Sequence, residues 1–143
     1  MTKKSIMMHP LLITTGILQR VSFETDPYTI AAGVLRNIQK YCVILLTNAG
    51  TDKLHPKFGT DLACLPLMNI HSYAEIRLFI SDQIKAASEQ FFTIQNADRG
   101  LSAEDILISV ELVSINITDT NKISIVLKFN PKTAEAITLS LRV

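Results

Sequence analysis

The hydrophobic period of the chain changes from helical to stranded near residue 100, and this switch constrains the fold more than any other feature. In two stretches, about 26–46 and 72–92, the apolar residues recur at three- and four-residue spacing. After Asp105 they alternate singly with polar ones. A stretch with one period cannot bury the same face in the other conformation. The chain is therefore expected to be α+β, with helices first and strands last. The 48% of hydrophobic residues against 19% of charged ones leaves no room for intrinsic disorder, and 143 residues suffice for a core without staples.

The first helix is expected to start at Asp26-Pro27, since aspartate suits an N-cap and proline the first helical position. Ile30, Val34, Ile38 and Tyr41 then form one face as far as about Leu46, and Asn48-Ala49-Gly50 supplies a stop. The second helix opens with Ser72-Tyr73-Ala74-Glu75, a capping-box sequence. Its apolar stripe is Ile76, Phe79, Ile80, Ile84, Ala87 and Phe91; Arg77, Asp82, Lys85 and Glu89 fall on the solvated side, and the helix fades near Phe92. Residues 47–71 lack periodicity and read as a long ordered loop, a length that in compact domains is usually functional.

Three strands are expected at the C-terminus. The first spans about Asp105–Thr118, and a turn at Asp119-Thr120-Asn121 follows. The second carries Ile123, Ile125, Leu127 and Phe129 on one face; the third carries Ile137, Leu139, Leu141 and Val143 against Thr138, Ser140 and Arg142. Short connections make this an antiparallel meander with one apolar face. The last strand is expected to be an edge with unpaired main-chain groups. The N-terminal residues 1–25 are expected to form an arm with one short strand over Ile17–Phe23, and 26–143 a single domain.

Chemistry is hard to find. His9, His55 and His71 lie in loops or the arm with no metal-ligand spacing, and Cys42 and Cys64 fit neither a metal nor a CxxC motif. No phosphate-binding glycine pattern occurs and no carboxylate pair stands out. The net charge of +1 is scattered, which argues against nucleic acid or an anionic membrane as partner, and no apolar run reaches membrane-spanning length. The expectation is a non-enzymatic protein without cofactor or metal. A mean hydropathy of +0.27 suits surfaces buried in an assembly and equally a large core.

One motif remains, running from the end of the first helix: Leu45-x-Thr47-x-x-Gly50, then Pro56-x-Phe58-Gly59-x-x-Leu62. Thr47 can satisfy groups at the helix end, the glycines permit backbone reversals, Pro56 stiffens the approach to Phe58, and Leu62 returns the chain to the core. With no gap, these seven positions resemble the baseplate wedge or sheath-initiator family of contractile phage tails. That family includes a baseplate component of type VI secretion and is sometimes labelled lysozyme-like. The order helix, loop, helix, strands is similar too, over roughly residues 26–143. Two features differ. The family's Glu-Arg pair falls on Thr51-Asp52, and Gln95-Asn96-Ala97-Asp98-Arg99 stands where a Glu-Pro-Arg motif is usual.

The resemblance implies a structural role in the tail baseplate of a virion, assembled in host cytoplasm. It implies tail sheath protein, baseplate wedge proteins and tail tube proteins as partners, and C-terminal strands that start sheath polymerisation. On that reading Ile137, Thr138, Leu139, Ser140, Leu141, Arg142 and Val143 form the partner-binding strand, and a chain lacking 134–143 should still fold. The alternatives are a cytoplasmic adaptor or anti-adaptor of similar fold, and a small muramidase suggested only by the family's label.

Overall fold

The computed structural model describes residues 4–9, 13–14, 17–18, 24–67, 72–117 and 123–142, with side chains described over 33–65, 72–117 and 123–142. It is an α+β protein with two main helices and a C-terminal three-stranded antiparallel sheet. The chain divides into two compact units, residues 1–39 with 98–142, and residues 40–97.

In the first unit the N-terminal segment is stranded rather than a loose arm. Strand β1 (Lys4–His9) pairs antiparallel with β4 (Glu24–Ala32). Between them in sequence lie β2 (Ile13–Thr14) and β3 (Ile17–Leu18). The expected strand over Ile17–Phe23 is realised at Ile17–Leu18, and residues 19–23 lie outside the described residues.

Asp26 and Pro27 do not start a helix; they lie inside β4. They fall where the β1–β4 register slips, between the pairs Met8↔Thr25 and Ile6↔Ile30. An irregular stretch tolerates a proline, which has no N–H to give to a ladder. Helix α1 (Val34–Leu46) begins only after Gly33, whose φ of 59° is left-handed and cannot be a helical turn. The Gly33 carbonyl accepts the first helical bond, from the Asn37 N–H at 3.3 Å.

A 3-10 turn at Ala103–Asp105 precedes the meander, so the first of its strands begins at Leu107 rather than Asp105. Asp105 is fully buried there; its carboxylate accepts from the Ser102 hydroxyl at 3.1 Å, and its backbone carbonyl accepts from the Asn37 side-chain amide. Strands β5 (Leu107–Ile117), β6 (Ile123–Pro131) and β7 (Ile137–Arg142) follow. The turn at 119–121 lies outside the described residues, as do Thr118 and Val143.

On β6 every second residue is buried, from Ile123 through Ile125, Leu127 and Phe129. Leu139 and Leu141 on β7 bury with them, opposite Leu127 and Ile125. This is the half-buried alternation read from the sequence. The other face is polar: Ser124 bonds Ser140 at 3.1 Å, and the Asn130 amide donates to the Ser109 hydroxyl at 2.9 Å.

The sheet order is β2-β3-β7-β6-β5. The terminal strand is thus not an edge. It pairs antiparallel with β6 on one side and parallel with β3 on the other, through Ile17↔Thr138 and Leu18↔Leu139. The outer strands of this sheet are β2 and β5. A two-residue parallel partner drawn from far upstream is invisible to local patterning, which explains the correction.

The same pairing changes what truncation does. Leu139 and Leu141 are core residues, so a chain cut before them leaves Leu127 and Ile125 uncovered and is expected not to fold. More gently, Leu139→Ala should lose about 2–5 kcal/mol in urea unfolding, whereas Leu139→Met should lose less than about 1.5 kcal/mol.

Candidate functional site

The motif residues sit in the second unit, on a loop clasped between the end of α1 and the helix α2 (Tyr73–Ala97). Local chemistry makes that helix. The Ser72 hydroxyl accepts from the Glu75 N–H at 3.2 Å, as the capping box requires. Ile80, Ile84, Ala87 and Phe91 are buried, Ile76 and Phe79 flank them, and Arg77, Asp82, Lys85 and Glu89 are exposed. The helix runs to Ala97 rather than fading near Phe92, and Gly100 N–H to Asp98 Oδ1 at 3.1 Å then turns the chain.

Tyr41 ties α1 to α2. It packs edge-on against Phe91, with ring centroids 5.9 Å apart. Its hydroxyl donates to the Ile84 carbonyl at 3.0 Å and lies 2.9 Å from the Ser88 hydroxyl. Burial raises its pKa, and burial pushes the neighbouring Cys42 thiol up to about 12.

The loop leaves α1 with the Thr47 hydroxyl and N–H both donating to the Val43 carbonyl. The Thr47 carbonyl then accepts from Thr60 N–H at 2.8 Å, and Ala49 N–H donates to the Thr60 carbonyl at 3.1 Å. These two bonds make a short parallel bridge between Asn48 and Thr60. Thr60 is buried and its hydroxyl donates to the Leu45 carbonyl. Leu62 is fully buried and opens the 3-10 segment Leu62–Leu67.

Gly59 is the tightest point. Its φ is +102°, and a side chain there would strike the Thr47 carbonyl oxygen. No residue but glycine fits both conditions. The Gln90 side chain grips its backbone at both ends: Gly59 N–H donates to Gln90 Oε1 at 3.0 Å, and Gln90 Nε2 donates to the Gly59 carbonyl at 2.8 Å. About two turns earlier on the same face, Gln83 Oε1 accepts from Asp61 N–H at 2.9 Å.

The tip is more exposed. His55 and Phe58 close a β-turn, Phe58 N–H to His55 carbonyl at 2.9 Å, with Pro56 at the position where its fixed φ suits the turn. Phe58 is half-buried. Asp52 accepts from Leu54 N–H at 2.9 Å and from the His55 ring at 3.2 Å, and the Leu54 amide above all holds its pKa below the ordinary value. Leu54, Pro56 and Phe58 form one wall of an open groove of about 590 Å³ whose other wall is Gln90, Thr93 and Ile94 of α2.

The fold therefore brings Leu45, Thr47, Gly59 and Leu62 together at the base of the clasp and sets Gly50, Pro56 and Phe58 along its rim. The sequence-predicted strand residues Ile137–Arg142 lie in the other unit. Thr60, Gln83 and Gln90 were not singled out from sequence. The only trace they leave is two glutamines seven residues apart bordering the apolar stripe. Among the described residues no group of three or more His, Cys, Asp or Glu could hold a metal ion, and no helix is long and apolar enough to cross a membrane. Compared with protein-family models, curated proteins and solved structures, the chain matches none.

Two outcomes test this geometry. Gly59→Ala should lose at least about 2 kcal/mol, from steric conflict added to positive-φ strain. Gly50→Ala, at φ +85° with nothing within 4 Å of the new Cβ, should lose only about 1 kcal/mol. The second outcome concerns pH. Cys42 ionises near 9 ordinarily and near 12 in the fold, so the unfolded chain releases its proton first. Its contribution is complete below pH 9 and is lost as pH rises toward 12. Urea midpoints should fall above pH 9, less steeply in Cys42→Ala.

Proposed function

We propose that this protein is a structural component of a contractile tail baseplate that nucleates sheath assembly by offering C-terminal β-strands to the first sheath ring. The observation that carries the reading is the gapless resemblance at seven positions between Leu45 and Leu62. Its residues are those the clasp requires: a threonine whose carbonyl receives the returning strand, a glycine beneath it, and a leucine that re-enters the core. The α+β order of helix, loop, helix and meander is also the order the resemblance implies.

The role asked of the chain is binding. Its partners on this reading are the tail sheath protein, baseplate wedge proteins and tail tube proteins. An assembly protein of this kind holds a rigid surface in place, and a meander provides one because its backbone already carries a ladder that a further strand can extend.

Mass spectrometry of purified tail particles tests the proposal. The chain should be found in the baseplate at about six copies per tail, as placement under a six-fold sheath demands. Its absence from particles, with free monomer in the cytoplasm, would count against the reading.

A further inference from the structure

The groove beside the loop tip has two walls of matched and opposite character. The loop wall carries Leu54 and Lys57, and the helix wall carries Glu89 and Ile94. Leu54 and Ile94 are large aliphatic side chains left in water, at 85% and 46% exposure. Among the described residues neither Lys57 nor Glu89 forms an ion pair, although Asp52 and His55 of the same tip meet at 3.2 Å. The two charges flank the fixed Gly59–Gln90 contact, Lys57 just before Gly59 on the loop and Glu89 just before Gln90 on the helix. They therefore lie at the same end of the groove, on opposite walls.

A surface patterned in this way is complementary to itself. A two-fold axis running along the groove exchanges the walls, so that the loop wall of one copy faces the helix wall of the other. Lys57 then meets Glu89 of the second copy, Leu54 meets its Ile94, and symmetry makes each contact twice. A foreign segment with one sign of charge would satisfy one wall and be repelled by the other. The exposed leucine leaves water by entering the facing groove, which has the volume to receive it.

We infer that the groove docks a second copy of this chain, with the Leu54 side chain of each copy seated in the groove of the other and a Lys57–Glu89 ion pair beside each. Each copy offers one loop tip and about two turns of α2, less than a standard interface, so the dimer is weak and dissociates in the micromolar range. The pairing belongs to the free chain and does not rest on the baseplate role. Neighbours around a six-fold axis are not related by a two-fold, so copies entering a sheath-bearing ring would separate.

Analytical ultracentrifugation of the full chain from about 1 μM to about 1 mM tests this. A reversible monomer–dimer equilibrium is expected. Lys57→Glu and Glu89→Lys should each weaken it at least about tenfold, because each sets like charges together twice in the dimer, and the two changes combined should restore it. Leu54→Ser should also weaken it at least about tenfold, through two lost aliphatic contacts. These three side chains are exposed, so the variants should fold as the parent does, which circular dichroism checks. Ile108→Ser, in the other unit, should leave the equilibrium unchanged. A chain monomeric at every concentration, as a groove reserved for a foreign protein or a small apolar ligand would leave it, overturns the inference. So does a dimer indifferent to Leu54→Ser, or a doubly charge-reversed chain that fails to regain the equilibrium.

Discussion

The close approach of Gly59 to the Thr47 carbonyl organises everything that surrounds it in the second unit. Because no Cβ intervenes, the returning chain can lie against the end of α1 and exchange backbone bonds through Thr60. That placement brings the Gly59 backbone within reach of Gln90, and Asp61 within reach of Gln83. A loop that would otherwise bury unpaired amides and carbonyls is satisfied by two helix side chains and a two-bond bridge. The buried leucines on either side, Leu45 and Leu62, then close over it.

Much of this was legible from residue order. The capping box at Ser72, the apolar stripe of α2 and the alternation of β6 are local patterns, and local patterns are what a sequence displays. The glycine at 59 announced a constraint without revealing what approached it. Gln83 and Gln90 were silent, since a neutral polar residue beside an apolar stripe is ordinary until its partner is known. The N-terminal segment misled for a related reason. Asp26-Pro27 is a good helix start in isolation, but pairing with β1 and the left-handed Gly33 decided otherwise. Tertiary pairing here overrides a short-range signal.

The two ends of the sheet show how much depends on one distant pairing. β3 contributes only two residues to β7, yet it changes the terminal strand from an exposed margin into an interior one. The outer strands become β2 and β5, and the irregular ladder of β5 could not be read from alternation alone. Where β6 keeps strict period two, β5 breaks it twice, and each break is visible only as a residue out of phase.

The clasp also separates what the loop must keep from what it may vary. Its base is fixed by backbone geometry that tolerates few substitutions. Its tip, from Thr51 to Lys57, is joined to that base at both ends and is largely exposed. A span anchored in this way can exchange its side chains without disturbing the joint beneath. Thr51 and Asp52, where the resemblance to the sheath-initiator pattern breaks, lie in that span, while Thr47 and Gly59, where it holds, lie in the joint. The loop thus works as a fixed hinge-plate carrying a replaceable label: the tip can be rewritten, and the fold does not have to be renegotiated each time.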